Sequence, residues 1–115
     1  MQILPQVSFD GIPPSDALEA RCREEIDKLQ RYHERITSCR VVIGLPHRRH
    51  HKGNPFSIRI HLGVPGGEIE VNREPTEQRA HEDPVIAVRD AFDAARRRLQ
   101  DFVRRQDGRV KRHGG

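Results

Sequence analysis

Phe56-Ser57-Ile58-Arg59-Ile60-His61-Leu62-Gly63-Val64-Pro65-Gly66-Gly67-Glu68-Ile69-Glu70-Val71-Asn72-Arg73 is the stretch that decides the fold. Phe56, Ile58, Ile60 and Leu62 alternate with Ser57, Arg59 and His61, the period of a half-buried strand. Val64-Pro65-Gly66-Gly67 reads as a tight turn, because proline presets one central residue and glycine accepts positive φ at the next. Glu68 to Arg73 then alternates again, with Ile69 and Val71 inward. The stretch is therefore an antiparallel hairpin with one apolar and one polar face. On the polar face, Arg59 and His61 are expected to pair with acids of the second strand, Glu68 or Glu70.

Upstream, Ser38 to Leu45 is a strand with Cys39, Val41 and Ile43 on one face, ended by Pro46. Before it, Leu18, Cys22, Ile26, Leu29, Tyr32 and Ile36 recur at helical spacing over roughly twenty residues, and Ser15 or Asp16 suits the cap. Residues 2–9 alternate as a first strand, and Pro5 assigns it to a sheet edge. Downstream, residues 74–82 are loop-like. Asp83-Pro84 opens a last helix whose buried stripe is Val85, Val88, Ala91, Phe92, Ala95, Leu99 and Phe102. Gly108 is a stop signal. The order is β-α-β-β-β-α, an α+β fold. A parallel first unit and two antiparallel pairs make a four-stranded mixed sheet, with both helices packed on one face. Residues 1–106 form one domain, and 107–115 a basic, flexible tail.

The 115 residues carry 34% hydrophobic and 33% charged residues, the balance of a small soluble domain. No apolar run is long enough for a bilayer. The N-terminus lacks the features of a secretory signal, which points to the cytoplasm. Cys22 and Cys39 fall at apolar positions and read as reduced core residues. Phe9, Tyr32, Phe56, Phe92 and Phe102 all fit core faces. That leaves phosphate contact, shape and arginine stacking as the means of any nucleic-acid recognition.

Charge is the functional signal. The net charge is +4, yet Arg96 to Arg112 holds eight bases against Asp101 and Asp107, and His47-Arg48-Arg49-His50-His51-Lys52-Gly53-Asn54 adds three bases and no acid. The rest of the chain is acidic. Two cationic elements on an acidic body point to a polyanionic partner, with nucleic acid leading. The run Arg96, Arg97, Arg98 complements the helix dipole. Its continuation through Arg104 and Arg105 exceeds what the dipole explains. His47, His50 and His51 also have spacings that a helix turns into a metal site, although Arg48, Arg49 and Lys52 would repel a cation. A solvated loop without a role is the third reading, and RNA-backbone contact is the one the composition favours. No phosphate loop, nucleophile elbow or isolated carboxylate pair supports an enzyme, and no cofactor or small-molecule substrate is implied.

The stretches Ser15-Asp16-Ala17-Leu18 and Lys28-Leu29-Gln30-Arg31-Tyr32-His33-Glu34-Arg35-Ile36 resemble the first helix of the ribosome hibernation promoting factors, also known as ribosome-associated inhibitors and sigma-54 modulation proteins. Gly66-Gly67-Glu68-Ile69 is similar to a hairpin of that family. His81-Glu82-Asp83, Ala87 to Asp93 and Arg97-Arg98-Leu99 resemble its second helix. The resemblance covers residues 2–106. It implies a cytosolic protein of this same fold that binds the small ribosomal subunit and its 16S rRNA between head and body, where it blocks mRNA and the A- and P-site tRNAs. It also implies rRNA contacts at Lys28, Arg31, Arg89, Arg97 and Arg98. Long family members add a dimerisation domain that these 115 residues do not accommodate, so pairing of ribosomes is expected to need another factor, and the protein off the ribosome is expected to be a monomer. The histidine-rich connection is longer than in short members, so its contacts are not inherited. Two other readings stay open: a protein-binding regulator such as a sigma-54 modulator, and a shape-selective double-stranded RNA binder.

Overall fold

The computed structural model describes residues 4–44, 56–74 and 83–113, with side chains described up to Asp107. In chain order the elements are β1 (Gln6–Asp10), α1 (Asp16–Tyr32), β2 (Ser38–Gly44), β3 (Ser57–Val64), β4 (Gly67–Arg73) and α2 (Pro84–His113). The expected α+β order holds. The sheet runs β1-β2-β3-β4, with β1 parallel to β2 and the other pairs antiparallel.

Cross-strand rows show why one face is dry. Val41, Ile60 and Val71 stand in one row, and Cys39, Leu62 and Ile69 in the next. All six are buried. Over them lies α2, packed on β3 and β4, while α1 packs on α2 and β1. The α2 stripe is Ala87, Val88, Ala91, Phe92, Ala95 and Leu99, and the α1 stripe is Leu18, Cys22, Ile26 and Leu29, all buried. Ser8, Arg40, Arg59, Glu70 and Asn72 lie on the opposite face of the sheet, all of them exposed.

Local chemistry sets the ends of the elements. Ser15 caps α1 by accepting from the Leu18 amide at 3.3 Å. Asp83 caps α2, its Oδ1 accepting from the Val85 amide at 2.9 Å, and Pro84 takes the first helical position, where no amide donor is missed. In the β3–β4 turn Gly66 has φ +90, the glycine-favouring conformation that the sequence demanded. Next to it, a Cβ on Gly67 would stand 2.9 Å from the Phe102 ring, so this glycine lets α2 approach the turn.

The structure corrects several details. The first helix ends at Tyr32, not near Ile36. His33 is extended, with φ −139, and its amide closes on the Leu29 carbonyl at 2.8 Å. Ile36 is nevertheless buried, in the segment that turns into β2. Tyr32, expected in the core, is 54% exposed. Val85 is not part of the buried stripe either: it is exposed together with Ile86, and Ala87 takes the inward position of that first turn. The α2 backbone continues past Gly108 to His113. One glycine costs a helix only about 1 kcal/mol, which the surrounding residues absorb. Leu45, Pro46, the His47–Asn54 stretch and residues 75–82 lie outside the described residues.

Both cysteines are free and buried. Burial, more than the neighbouring Glu19 and Glu25 charges, pushes the Cys22 thiol up to about 11. Burial pushes Cys39 up to about 12.

Two measurements check this core. Leu99→Ala should cost about 2–5 kcal/mol in urea unfolding, because it empties a fully buried site. Val85→Ala should stay within about 0.5 kcal/mol. The thiols give a pH dependence. Their folded values lie above the ordinary 9.0, so between that value and 11–12 the unfolded chain binds fewer protons than the folded one. Stability should be complete below pH 9 and fall as pH rises through that window. Replacing both cysteines by alanine should remove this component of the alkaline decline.

Candidate nucleic-acid interface

The candidate cations lie mainly on the solvent side of the two helices. On α2, Arg97 and Arg104 are seven residues apart and so share one outward line. Both are exposed, and neither has an acidic partner among the described residues. Arg96 is exposed and meets Asp93 at 3.7 Å, and Arg89 meets Asp90 at 3.9 Å. Pairs this exposed are worth roughly 0–1 kcal/mol and yield readily to a phosphate. Arg98 points to the other flank of the helix and donates to the Glu70 carbonyl of β4. Arg105 shares with it a shallow hollow bordered by Glu68, Glu70 and Asp101. The ridge thus has an unpaired crest, Arg97 and Arg104, and a flank already engaged with the sheet.

On α1 the candidates divide. Lys28 Nζ stands 3.5 Å from Glu25, a nearly buried carboxylate that Arg21 also holds at 3.2 Å. Arg31, one turn on, is exposed and has no acidic partner among the described residues. Arg35 follows just beyond the helix and is equally open. It was not among the expected contacts, although its charge was visible in the sequence.

The two basic groups meet. Gln100 Nε2 of α2 donates to the Tyr32 hydroxyl at 2.7 Å. Arg31 and Arg35 border the same recess as Val103 and Gln106. The last turn of α1 therefore lies beside the C-terminal half of α2. The partially negative C-terminal end of α1 lies there, which favours Arg31 in its last turn. The β3–β4 turn reaches the same edge, where Gln106 Nε2 donates to the Pro65 carbonyl at 3.0 Å.

Not every cation belongs to this surface. Arg73, with its side chain 10% exposed, meets Asp90 at 3.4 Å and ties β4 to α2. On the open sheet His61 pairs with Glu70 at 3.1 Å and Glu68 at 3.6 Å, as expected. Arg59 does not pair with either acid, because its cross-strand neighbour is Asn72. His47, Arg48, Arg49, His50, His51 and Lys52 lie outside the described residues. The strand ends that flank them, Gly44 and Ser57, sit at the end of the sheet opposite the Pro65-Gly66 turn. Among the described residues no cluster of histidine, cysteine, aspartate or glutamate is arranged to hold a metal. No described helix is long and apolar enough to cross a membrane.

The family model described as "Sigma 54 modulation protein / S30EA ribosomal protein" matches residues 6–107, from the first strand to the end of the arginine ridge. The chain belongs to this family. The S30EA chain is 28% identical over 114 residues to a ribosome hibernation promotion factor of Deinococcus radiodurans, covering 95% of this chain and 56% of the relative. It thus spans about half the length of that curated relative. Solved structures share the S30EA fold. The Protein Y N-terminal domain of Thermus thermophilus superposes with a TM-score of 0.63 at 20% identity, covering 89% of this chain and 99% of that one. A ribosomal subunit interface protein from Coxiella burnetii gives 0.60 at 13% identity, covering 90% and 97%.

Crest and tie should separate in a stability test. Arg97→Ala should leave the unfolding free energy within about 0.5 kcal/mol, as for an exposed residue without a partner. Arg73→Ala should lower it by about 1.5–3 kcal/mol, the range for hydrogen bonds to charged groups.

Proposed function

We propose that this protein is a ribosome hibernation factor. It binds the small subunit through 16S rRNA in the decoding channel and inhibits translation by occluding the mRNA and tRNA sites. The observation that carries this reading is the cationic edge where the two helices meet, with Arg97 and Arg104 on α2 and Arg31 and Arg35 at the end of α1. Family membership supports it, as does the name of the Deinococcus radiodurans relative. A helix that presents arginines on a rigid backbone loses little backbone freedom on meeting a phosphate backbone, so more of the contact energy survives as affinity.

Within this reading, Arg31, Arg89, Arg96, Arg97, Arg104 and Arg105 contact the RNA backbone. Lys28 and Arg98 contribute less, because each is already engaged with Glu25 or with the Glu70 carbonyl. The loop His47-Arg48-Arg49-His50-His51-Lys52 adds a second, weaker contact. Occlusion needs no chemistry, so no catalytic group or cofactor enters. The factor acts in the cytoplasm and is a monomer off the ribosome.

In sucrose gradients the protein should sediment with 30S and 70S particles and not with free 50S subunits. Initiator tRNA and mRNA should displace it, and stoichiometric binding of all three together would refute occlusion. Arg97→Glu with Arg104→Glu should weaken 30S binding more than Arg48→Glu with Arg49→Glu, at equal change of charge. The helix pair should also flatten the dependence of log K on log salt by about 1.4–1.8, since each phosphate neutralised contributes roughly 0.7–0.9 to the slope. A loop variant that loses binding while the helix variant keeps it would make the loop the main anchor.

A further inference from the structure

We propose that the recess between the end of α1, the β3–β4 turn and the C-terminal half of α2 receives one unpaired RNA base, stacked on Tyr32. This rests on the RNA-binding reading above and goes beyond it, since that reading needs only backbone contacts. The sequence assigns every aromatic side chain to the core. The structure places Tyr32 outside it, 54% exposed, on the last turn of α1. Its hydroxyl is held by Gln100 Nε2 at 2.7 Å, so the ring is oriented before any ligand arrives. A preoriented aromatic ring beside a cationic rim is the usual platform for a single-stranded base.

The recess has the size and chemistry for a base. Its volume is about 450 Å³, within the range of small-ligand pockets. Val64, Pro65, Phe102 and Val103 give it apolar walls beside Tyr32. His33 also lines it, and the Nδ1 of His33 is buried with no hydrogen-bond partner among the described residues. Buried polar atoms are normally satisfied.

The charges sort the two parts of a nucleotide. Arg31 and Arg35 border the recess without acidic partners among the described residues, and they suit the flanking phosphates. Glu34 and Asp107 also line it. These carboxylates disfavour a phosphate inside but accept hydrogen bonds from base N–H groups. Guanine, with two adjacent donors on its Watson–Crick edge, fits a carboxylate best. The occupant is thus an unpaired nucleotide with its base inward, guanine before uracil, and neither a free phosphate nor an acidic peptide.

The chain contains one tyrosine and no tryptophan, so its intrinsic emission reports Tyr32 alone. The test titrates the full chain with hexauridylate and with the same hexamer carrying one central guanosine. Binding is followed in parallel by anisotropy of end-labelled oligonucleotide. Tyrosine emission should be quenched as the oligonucleotides bind, at lower concentration for the guanosine-containing one. Tyr32→Ala should weaken 30S binding roughly tenfold, within the range found when a stacking aromatic is truncated, and leave the salt slope unchanged, because stacking releases no counterions. Tyr32→Phe should stay within about twofold of the parent, since the stacking face is kept. Oligonucleotides that bind without quenching, together with a Tyr32→Ala variant that binds 30S normally, would overturn the recess and leave the ribosome-binding reading standing. Failure of the parent protein to bind 30S at all would overturn both.

Discussion

The fold depends on one contact, the seating of the α2 stripe on the β3–β4 half of the sheet. Ala87, Ala91 and Ala95 recur every four residues and let the helix axis come close to the strands. Val88, Phe92 and Leu99 fill the space between them against Ile58, Ile60, Leu62, Ile69 and Val71. Interiors are packed at crystal-like density, so this interlock leaves α2 little freedom of position or direction. Everything outward follows from that direction. The crest of Arg97 and Arg104 faces solvent because Leu99 and Ala95 face the sheet. The end of α1 lies beside Gln100 because α1 must cover what α2 leaves open. The strands have seven or eight residues in β2, β3 and β4, roughly 25 Å of chain. The thirty residues of α2 span about 45 Å. The helix therefore overruns the sheet, and its arginine-rich half marks one end of a molecule 55 Å long and 18 Å thin.

The acids and bases of this surface play different parts. Glu25, Asp90 and Asp93 lie alongside the cations at the N-terminal and middle turns of both helices and hold them in local pairs. Toward the C-terminal ends the acids thin out and the arginines stand open. At the end of α1 the helix dipole favours the same arrangement, since Arg31 lies in its last turn. The Arg96–Asp93 and Arg89–Asp90 pairs are exposed and weak, so exchanging the carboxylate for a phosphate costs little there.

The sheet was legible in the sequence almost completely. The Phe56–Arg73 hairpin carried both its strands and its turn, since period-two alternation and a Pro-Gly pair leave few alternatives. The cap at Asp83 was equally plain, and the structure decides for Ser15 between the two residues that suited the first helix. The errors sit where periodicity runs on after its cause has stopped. Tyr32 falls three residues after Leu29, yet at the last turn there is no sheet left to cover it, and the ring turns to α2 instead. Val85 fits the α2 stripe by spacing, but the helix enters the core only at Ala87. Gly108 carries a stop signal that no proline or competing turn reinforces. The cationic crest was readable as charge, but which arginines were already occupied was not. Arg98 and Arg97 are neighbours in sequence, and only the position of the β4 edge tells them apart.

That position has a consequence for the protein while it is idle. An open sheet exposes two edge strands, each a template on which another chain can add by backbone pairing. Here β1 is only five residues long and is preceded by Pro5, which has no amide to donate. At the other edge, Arg98 covers the Glu70 carbonyl with a charged side chain. Both rims are poor seeds for sheet extension. With such rims the folded chain resists edge-to-edge association through its own surface and does not depend on constant occupation by a partner.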